Sequence, residues 1–273
     1  MKGADMNQDQ VKEKLLQIDS EVVDFSVIFS GKNSKKVDGL YHPEKQEIVI
    51  HNKNFTDDNA LIYTAIHEFA HHIQFTQHEG QVTSRSHTVL FWDIFHRLLK
   101  RGEELGIYIN VFEEDNNFKE LTNEIKTRFL SVNGQVMKDF GKLLIQALDL
   151  CQQKHAIFED YVDRALGMNR NSAKSIMKVF AMDVNPEIGY ENMKIIAGVK
   201  EPQKRKELEN AFKEGQSQDM VKQTIRQSKP EPVMTLKRLE SQKTRLEKSI
   251  QSMQVKLADL EMKIEEEKIK EDE

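Results

Sequence analysis

Apolar residues change their spacing along the chain, and each change marks an element. Residues 11 to 18 carry the spacing of a helix, while Val22 to Phe29 and Gln46 to His51 read as short strands bounded by Gly, Pro, Asn and Asp. From Ala60 to Phe75 there is no Gly or Pro. Ile62, Ile66, Phe69 and Ile73 recur there at helical intervals, and Thr56-Asp57-Asp58 offers an N-cap and an acidic first turn. A second amphipathic segment opens at His87, with Phe91, Ile94, Phe95, Leu98 and Leu99 on its apolar face. These elements predict an α+β unit over residues 1–115.

Beyond it the pattern is helical. Phe118 to Gln153 predicts helix almost throughout, with a break near Asn133-Gly134 and with its Leu and Phe stripes in a core, so residues 116–155 are expected to form a helical extension. Residues 156–228 predict a further helical domain. Pro230 and Pro232 then set off residues 233–273, where 236, 243, 250, 257 and 264 fall at heptad position a and 239, 246, 253 and 260 at d. The d residues are Leu with one Met, Lys243 interrupts the a row, and Lys256 at g can meet Glu261 at e of a second copy. A C-terminal coiled coil forming a parallel homodimer is expected, frayed after Glu265; the alternatives are a helix folded back on its own domain and a solvated charged helix. The predicted fold class is therefore an α+β N-terminal domain, an all-α region and a coiled coil.

The helix at 60–75 contains His67-Glu68-Phe69-Ala70-His71, an HExxH motif. Two His four residues apart stand one above the other on one helix face, so both imidazoles can reach a single ion. Glu68, about 100° around the helix from His67, can hold a water on that ion and act as its general base. The buried stripe Ile62, Ile66, Phe69 and Ile73 is distinct from this face. The spacing points to a zinc hydrolase, whose tetrahedral metal needs a third protein ligand and one open position. Downstream candidates are His72, His78, Glu79, His87, His96 and the acidic residues from Glu103 to Glu124. His72 is rotated about 100° from His71 and is expected to face elsewhere; His78 and Glu79 sit beside Gly80 at the helix end. His87, at the mouth of the next helix, is geometrically sensible.

Ile66 to His71, then Ser86-His87, with fifteen residues between His71 and His87, and Leu90-Phe91-Trp92-Asp93-Ile94-Phe95 resemble the SprT-like zinc metallopeptidases and their small gluzincin relatives. Gly39-Leu40-Tyr41-His42-Pro43 and Glu47 to His51 match the short hairpin that precedes the motif helix in that family. The resemblance spans about residues 10–106. It implies a zincin-like fold, a zinc cofactor held by His67, His71 and His87, and Glu68 as catalytic base; Glu124 in Thr122-Asn123-Glu124 is the alternative third ligand, as other gluzincins use a downstream Glu. The zinc ribbon common in the family cannot form, since Cys151 is the lone cysteine.

Tyr161 to Gly167 followed by Asn171 to Lys178 has helix-turn-helix spacing, in which the second helix could enter a major groove. From Arg164 to Lys206 there are nine Lys and Arg against four Asp and Glu, a local excess of five positive charges in a chain of net charge −5. Leu166 to Ser172, Ile188 to Ala197 and Glu214 to Val221 resemble the helix-turn-helix domain of ParB-like DNA-binding proteins, whose nuclease or CTP-binding motifs are not apparent. That resemblance implies DNA contacts by Arg170, Lys174 and Lys178; a plain helical scaffold with solvated basic residues is the equal alternative.

Composition narrows the setting. At 273 residues one or two domains can bury real cores. A single cysteine excludes a disulfide framework and fits a reducing compartment, no stretch approaches the roughly 20 apolar residues of a membrane span, and residues 1–8 lack the apolar run of a signal peptide. A cytoplasmic zinc metalloprotease acting on a protein substrate, with DNA as a second partner, is the expectation; a DNA-binding regulator or partition-type adaptor with an inactive HExxH unit, and a mobile-element protease that cuts a repressor, are the alternatives.

Overall fold

The computed structural model describes residues 5–78, 87–228 and 235–271, and the chain divides into two compact units at Ser228/Lys229. The first begins with helix α1 (Gln8–Ile18), whose cap Asn7 and third residue Gln10 bond each other's backbone N–H groups as a capping box. Strands β1 (Ser26–Phe29), β2 (Gly39–His42) and β3 (Glu47–Ile50) follow in the sheet order β1-β3-β2. Here β1 runs parallel to β3, pairing Val27 with Ile48, while β2 is antiparallel to it, pairing Leu40 with Val49. The β2–β3 connection is a tight hairpin in which Gln46 takes a positive φ of 52°. Strand β2 is thus the sheet edge next to the helices.

Of the next two helices, one packs on the sheet, and the second packs on the first. Helix α2 (Asp58–Gln77) starts where Asp57 accepts the Ala60 N–H, as the acidic cap predicts, and α3 (Val89–Glu104) starts where Thr88 accepts the Phe91 N–H. Leu61, Ile62, Ala65, Ile66, Phe69 and Ile73 of α2 pack with Leu90, Phe91, Ile94, Phe95 and Leu98 of α3 and with Ile48 and Ile50 of β3 in one core. Each fully buried Ile, Leu or Phe contributes about 1.5–3 kcal/mol. The predicted helical stripe is therefore the core stripe.

The helical part differs from its expected form in two ways. Short α4 (Val111–Glu114) leads through an extended Asp115 into α5 (Asn116–Ile125), a π-helical turn (Lys126–Ser131) and α6 (Val132–Gln153), the last three joined through right-handed helical dihedrals. The helix does not break at Asn133-Gly134. Gly134 serves a different purpose, since a Cβ there would lie 2.4 Å from the Pro186 carbonyl oxygen, and at Gly141 it would lie 2.6 Å from that of Ile176. The two glycines let neighbouring backbones approach α6. The second difference is that the stripe Phe118, Leu121, Ile125 and Phe129 is exposed rather than core: these residues lie outside all three buried clusters, and Phe118 packs edge-on to Phe112 of α4.

Helix α7 (Phe158–Asp160) continues as a π-helical turn (Tyr161–Ala165) to Gly167, whose φ of 61° turns the chain into α8 (Arg170–Ala181), capped by Asn169. Then come α9 (Tyr190–Ala197), α10 (Pro202–Lys213) and α11 (Gln218–Gln227), whose core is Val179, Val184, Met193, Ile196, Leu208 and Val221. In the second unit α12 (Leu236–Glu271) is one helix, and its a and d residues Leu239, Leu246, Ile250, Leu257 and Leu260 are exposed. None of the described helices is long and apolar enough to cross a membrane.

Because backbone atoms oppose Gly134 and Gly141, a methyl group there has nowhere to go. Gly134→Ala or Gly141→Ala should each cost roughly 1–3 kcal/mol in urea unfolding despite the better helix propensity of Ala. A neutral or stabilising result would show that α6 does not pack as described.

Candidate metal centre

Helix α2 presents His67 and His71 one turn apart, and α3 brings His87 to them from just ahead of its cap Thr88. The Nε2 atom of His87 lies 3.0 Å from Nε2 of His67 and 3.2 Å from Nε2 of His71. All three ligand atoms fall within 4.8 Å of one another. A zinc ion about 2.0–2.1 Å from each nitrogen would set tetrahedral ligands about 3.3–3.4 Å apart, so the cluster fits such an ion with small side-chain movements. Three imidazole nitrogens aimed at one point otherwise share too few protons to satisfy every lone pair.

The floor beneath them is apolar. The Phe91 ring stacks on His71 at 4.2 Å between centroids and lies 4.9 Å from the His67 ring and 4.7 Å from that of His87. Trp92 packs against the other side of His87 at 5.5 Å. Burial pulls the His67 imidazole down to about 4, with His87 adding repulsion, and pulls His71 down to about 3. Both stay neutral, and so competent as ligands, far below neutral pH.

Glu68 is 7 % exposed, and burial pushes its carboxyl up to about 7 while a hydrogen bond from the Tyr41 backbone N–H opposes the rise. The strand register explains that bond. His51 donates to the Asp38 carbonyl across the β2–β3 pair, so by alternation Gly39 and Tyr41 turn their backbone groups outward, towards α2. A side chain on Gly39 would meet Cγ of Glu68 at 2.9 Å and Oε1 at 3.1 Å. Glycine is what lets the strand lie against the carboxylate. His72, fully buried on the opposite flank of α2, bonds the Tyr41 hydroxyl through Nδ1 at 3.0 Å and the Val23 carbonyl through Nε2 at 2.8 Å. With Nε2–H donating to Val23, Nδ1 accepts from Tyr41 and fastens β2 to the motif helix.

Above the three histidines opens a cavity of about 660 Å³, walled by Gly39, Leu40, Tyr41, Tyr63 and Phe75 together with His67, Glu68 and His71. An open position for a water and a substrate therefore exists beside the ligand nitrogens. The structure brings together His67, Glu68, His71 and His87, as the sequence suggests, and turns His72 away. His78 caps the end of α2, Glu79 lies outside the described residues, and His96 bonds the Ser217 hydroxyl. Glu124 sits on exposed α5 in an ion pair with Arg128, away from the cluster. Gly39, Tyr41 and Tyr63 were not among the site residues expected from sequence; Tyr63, one turn before His67 on the same face, could have been found from its spacing.

The residues expected to contact DNA lie on α8. Arg170 pairs with Asp163 and Lys174 with Glu159 at 3.6 Å, both carboxylates coming from the helical turn before Gly167, and Lys178 falls near the C-terminal end of α8. The helix-turn-helix spacing thus brings basic and acidic side chains face to face. No family model matches the sequence, and neither a curated protein nor a solved structure is a significant match to it.

Purified protein should carry about one metal ion per chain. His67→Ala or His71→Ala should abolish its retention, and His87→Ala should weaken it. His72→Ala should leave the metal in place yet lower stability by about 1–3 kcal/mol, because Tyr41 and Val23 lose a buried partner. Metal analysis with thermal melts checks both, and full metal retention in the His67 and His71 variants would end the assignment.

Titration gives a separate test on metal-free protein. Glu68 binds a proton more readily folded, at about 7, than unfolded, at 4.5, so it removes stability as pH rises through that window. His67 and His71 slope the other way, losing stability as pH falls below their unfolded value of 6.5. Glu68→Gln should therefore raise metal-free stability by roughly 1–3 kcal/mol near pH 8 and by little near pH 4.5. A gap that does not change with pH would refute a buried, raised Glu68.

Proposed function

We propose that this chain is a zinc-dependent metallopeptidase whose centre is His67, His71 and His87 with Glu68 as general base. The observation that carries the reading is the convergence of three Nε2 atoms within 4.8 Å, beside a buried carboxylate, at the floor of an open cavity. Zinc would supply Lewis-acid polarisation of a carbonyl and a water of lowered pKa. The Tyr41 hydroxyl is held by the fully buried His72, so water activated by Glu68 is the chemistry the donor set favours.

Within that reading each residue has a role. Glu68 accepts a proton from the attacking water and passes it to the departing amine, which asks for a carboxylate that can be ionised in one step and neutral in the next. A value near 7 suits both. Tyr41 holds the carboxylate in place through its backbone N–H, and the Phe91 floor keeps the ligand rings oriented without competing for the metal. The outward backbone groups of β2 border the cavity, and an extended polypeptide laid along this edge can pair with those other than the Tyr41 N–H and so place a peptide bond over the histidines. Arg170 and Lys174 already face the carboxylates of Asp163 and Glu159.

Glu68→Gln should keep about one zinc per chain and the native fold but lower peptide hydrolysis about 10²–10⁴-fold, since an amide cannot take the water's proton. Casein or a mixed peptide library, followed by mass spectrometry, reads this directly. Undiminished hydrolysis by the variant would remove Glu68 from the mechanism, and loss of zinc with activity would make it a structural residue of the site.

A further inference from the structure

A second cavity, of about 420 Å³, adjoins the first, with Tyr63 in the wall of both. Its floor is Phe95 and Leu99 of α3, and Phe95 also packs edge-on to the ligand His67 at 5.2 Å. Tyr108 and Phe112 close one side. The other side comes from the helical region, where Glu214, Gly215 and Gln216 form the turn between α10 and α11, with Met220 on α11.

That turn is held in place rather than merely near. The Ser217 hydroxyl caps α11 by accepting the Met220 N–H at 3.3 Å and bonds Nδ1 of His96 on α3 at 2.8 Å. A positive φ of 86° at Gly215 bends the chain over the cavity. So the α10–α11 turn, far along the sequence from the HExxH motif, lies over a surface that starts one helical turn from the ligands.

The chemistry of the lining is specific. Aromatic rings of Tyr63, Phe95, Tyr108 and Phe112 share it with the carboxylates of Glu103, Glu113 and Glu214, against the one ammonium of Lys100. Aromatic faces and carboxylates together favour a cationic guest. Burial first, and repulsion from Glu113 second, push the Glu103 carboxyl above its ordinary value.

We propose that this cavity is a subsite for a lysine or arginine side chain of the substrate polypeptide, and that the helical region is part of the substrate cleft. The proposal rests on the metallopeptidase reading. Tyr63 stands one helical turn, about 5–6 Å, from His67, and an extended chain advances about 3.3 Å per residue, so the cationic residue lies roughly two to four positions from the scissile bond.

The test uses the full, zinc-loaded chain. Cleavage sites are first mapped in a peptide library, and then one good peptide is varied position by position with Lys, Arg, norleucine or Glu. Lys and Arg should raise kcat/KM about 3–10-fold over norleucine at one position only, with the preference shrinking as salt increases. The double variant Glu113→Gln/Glu214→Gln, both exposed, should bring the Lys-to-norleucine ratio towards one while zinc content and melting stay normal. Hydrolysis with no positional preference, or a preference unchanged in the double variant, overturns the subsite and leaves the peptidase reading standing. If no peptide is cut, that reading fails, and anisotropy titration of the same labelled peptides decides the cavity: a Lys preference removed by the double variant supports it, and equal binding overturns it.

Discussion

Three imidazole nitrogens packed to within 4.8 Å above an aromatic floor make a demand that the rest of the N-terminal structure is arranged to meet. Their lone pairs point at one place, burial keeps the His67 and His71 rings neutral, and a shared cation or shared protons would quiet the repulsion. Holding them there requires α2 and α3 to be fixed against each other, which the core of Ile66, Phe69, Phe91, Ile94 and Phe95 does. The same helix must bury one flank and expose another. That is why Glu68 and His71 are buried polar residues at a price in stability that a purely structural helix would not carry.

The sheet edge is the second consequence. Unpaired strand edges invite association and are usually blunted or covered. Here β2 is short, is anchored by the Tyr41–His72 contact, and presents its outward backbone groups to Glu68 and the cavity. Gly39 matters because any Cβ would push the strand off the carboxylate. A residue without a side chain thus sets the distance between the base and the surface along which a substrate would lie.

The helical region is bound into this arrangement through α11, which packs on α3 with the Ser217–His96 bond at its start. His96 in turn stacks on Trp92, which leans on His87. One face of α3 therefore supports His87 through Trp92 and, one turn further on, seats through His96 a segment more than a hundred residues away in sequence. Within residues 1–228 the three hydrophobic clusters remain separate, and contacts of this kind join them.

Much of this was legible from the sequence. The motif helix, its cap at Asp57, its buried stripe and the pairing of His67 with His71 follow from a period of 3.6 and from capping chemistry, which are local rules. The strands and the amphipathic helix after His87 follow in the same way. Local rules could not place His87 beside the motif, since the choice between it and a residue such as Glu124 depends on how α3 packs; there the family resemblance pointed to the arrangement found. They misread Asn133-Gly134 as a break because Gly means either a turn or a close approach, and only the Pro186 backbone shows which. They placed the Phe118–Phe129 stripe in a core because amphipathicity says which face is apolar, not whether anything covers it. The basic excess from Arg164 to Lys206 was a correct count, yet Asp163 and Glu159 lie just outside that window and pair with two of its members. Sequence determined which side chains could share a helix face; tertiary structure decided which faces meet, because contacts between distant segments depend on packing that no local spacing encodes.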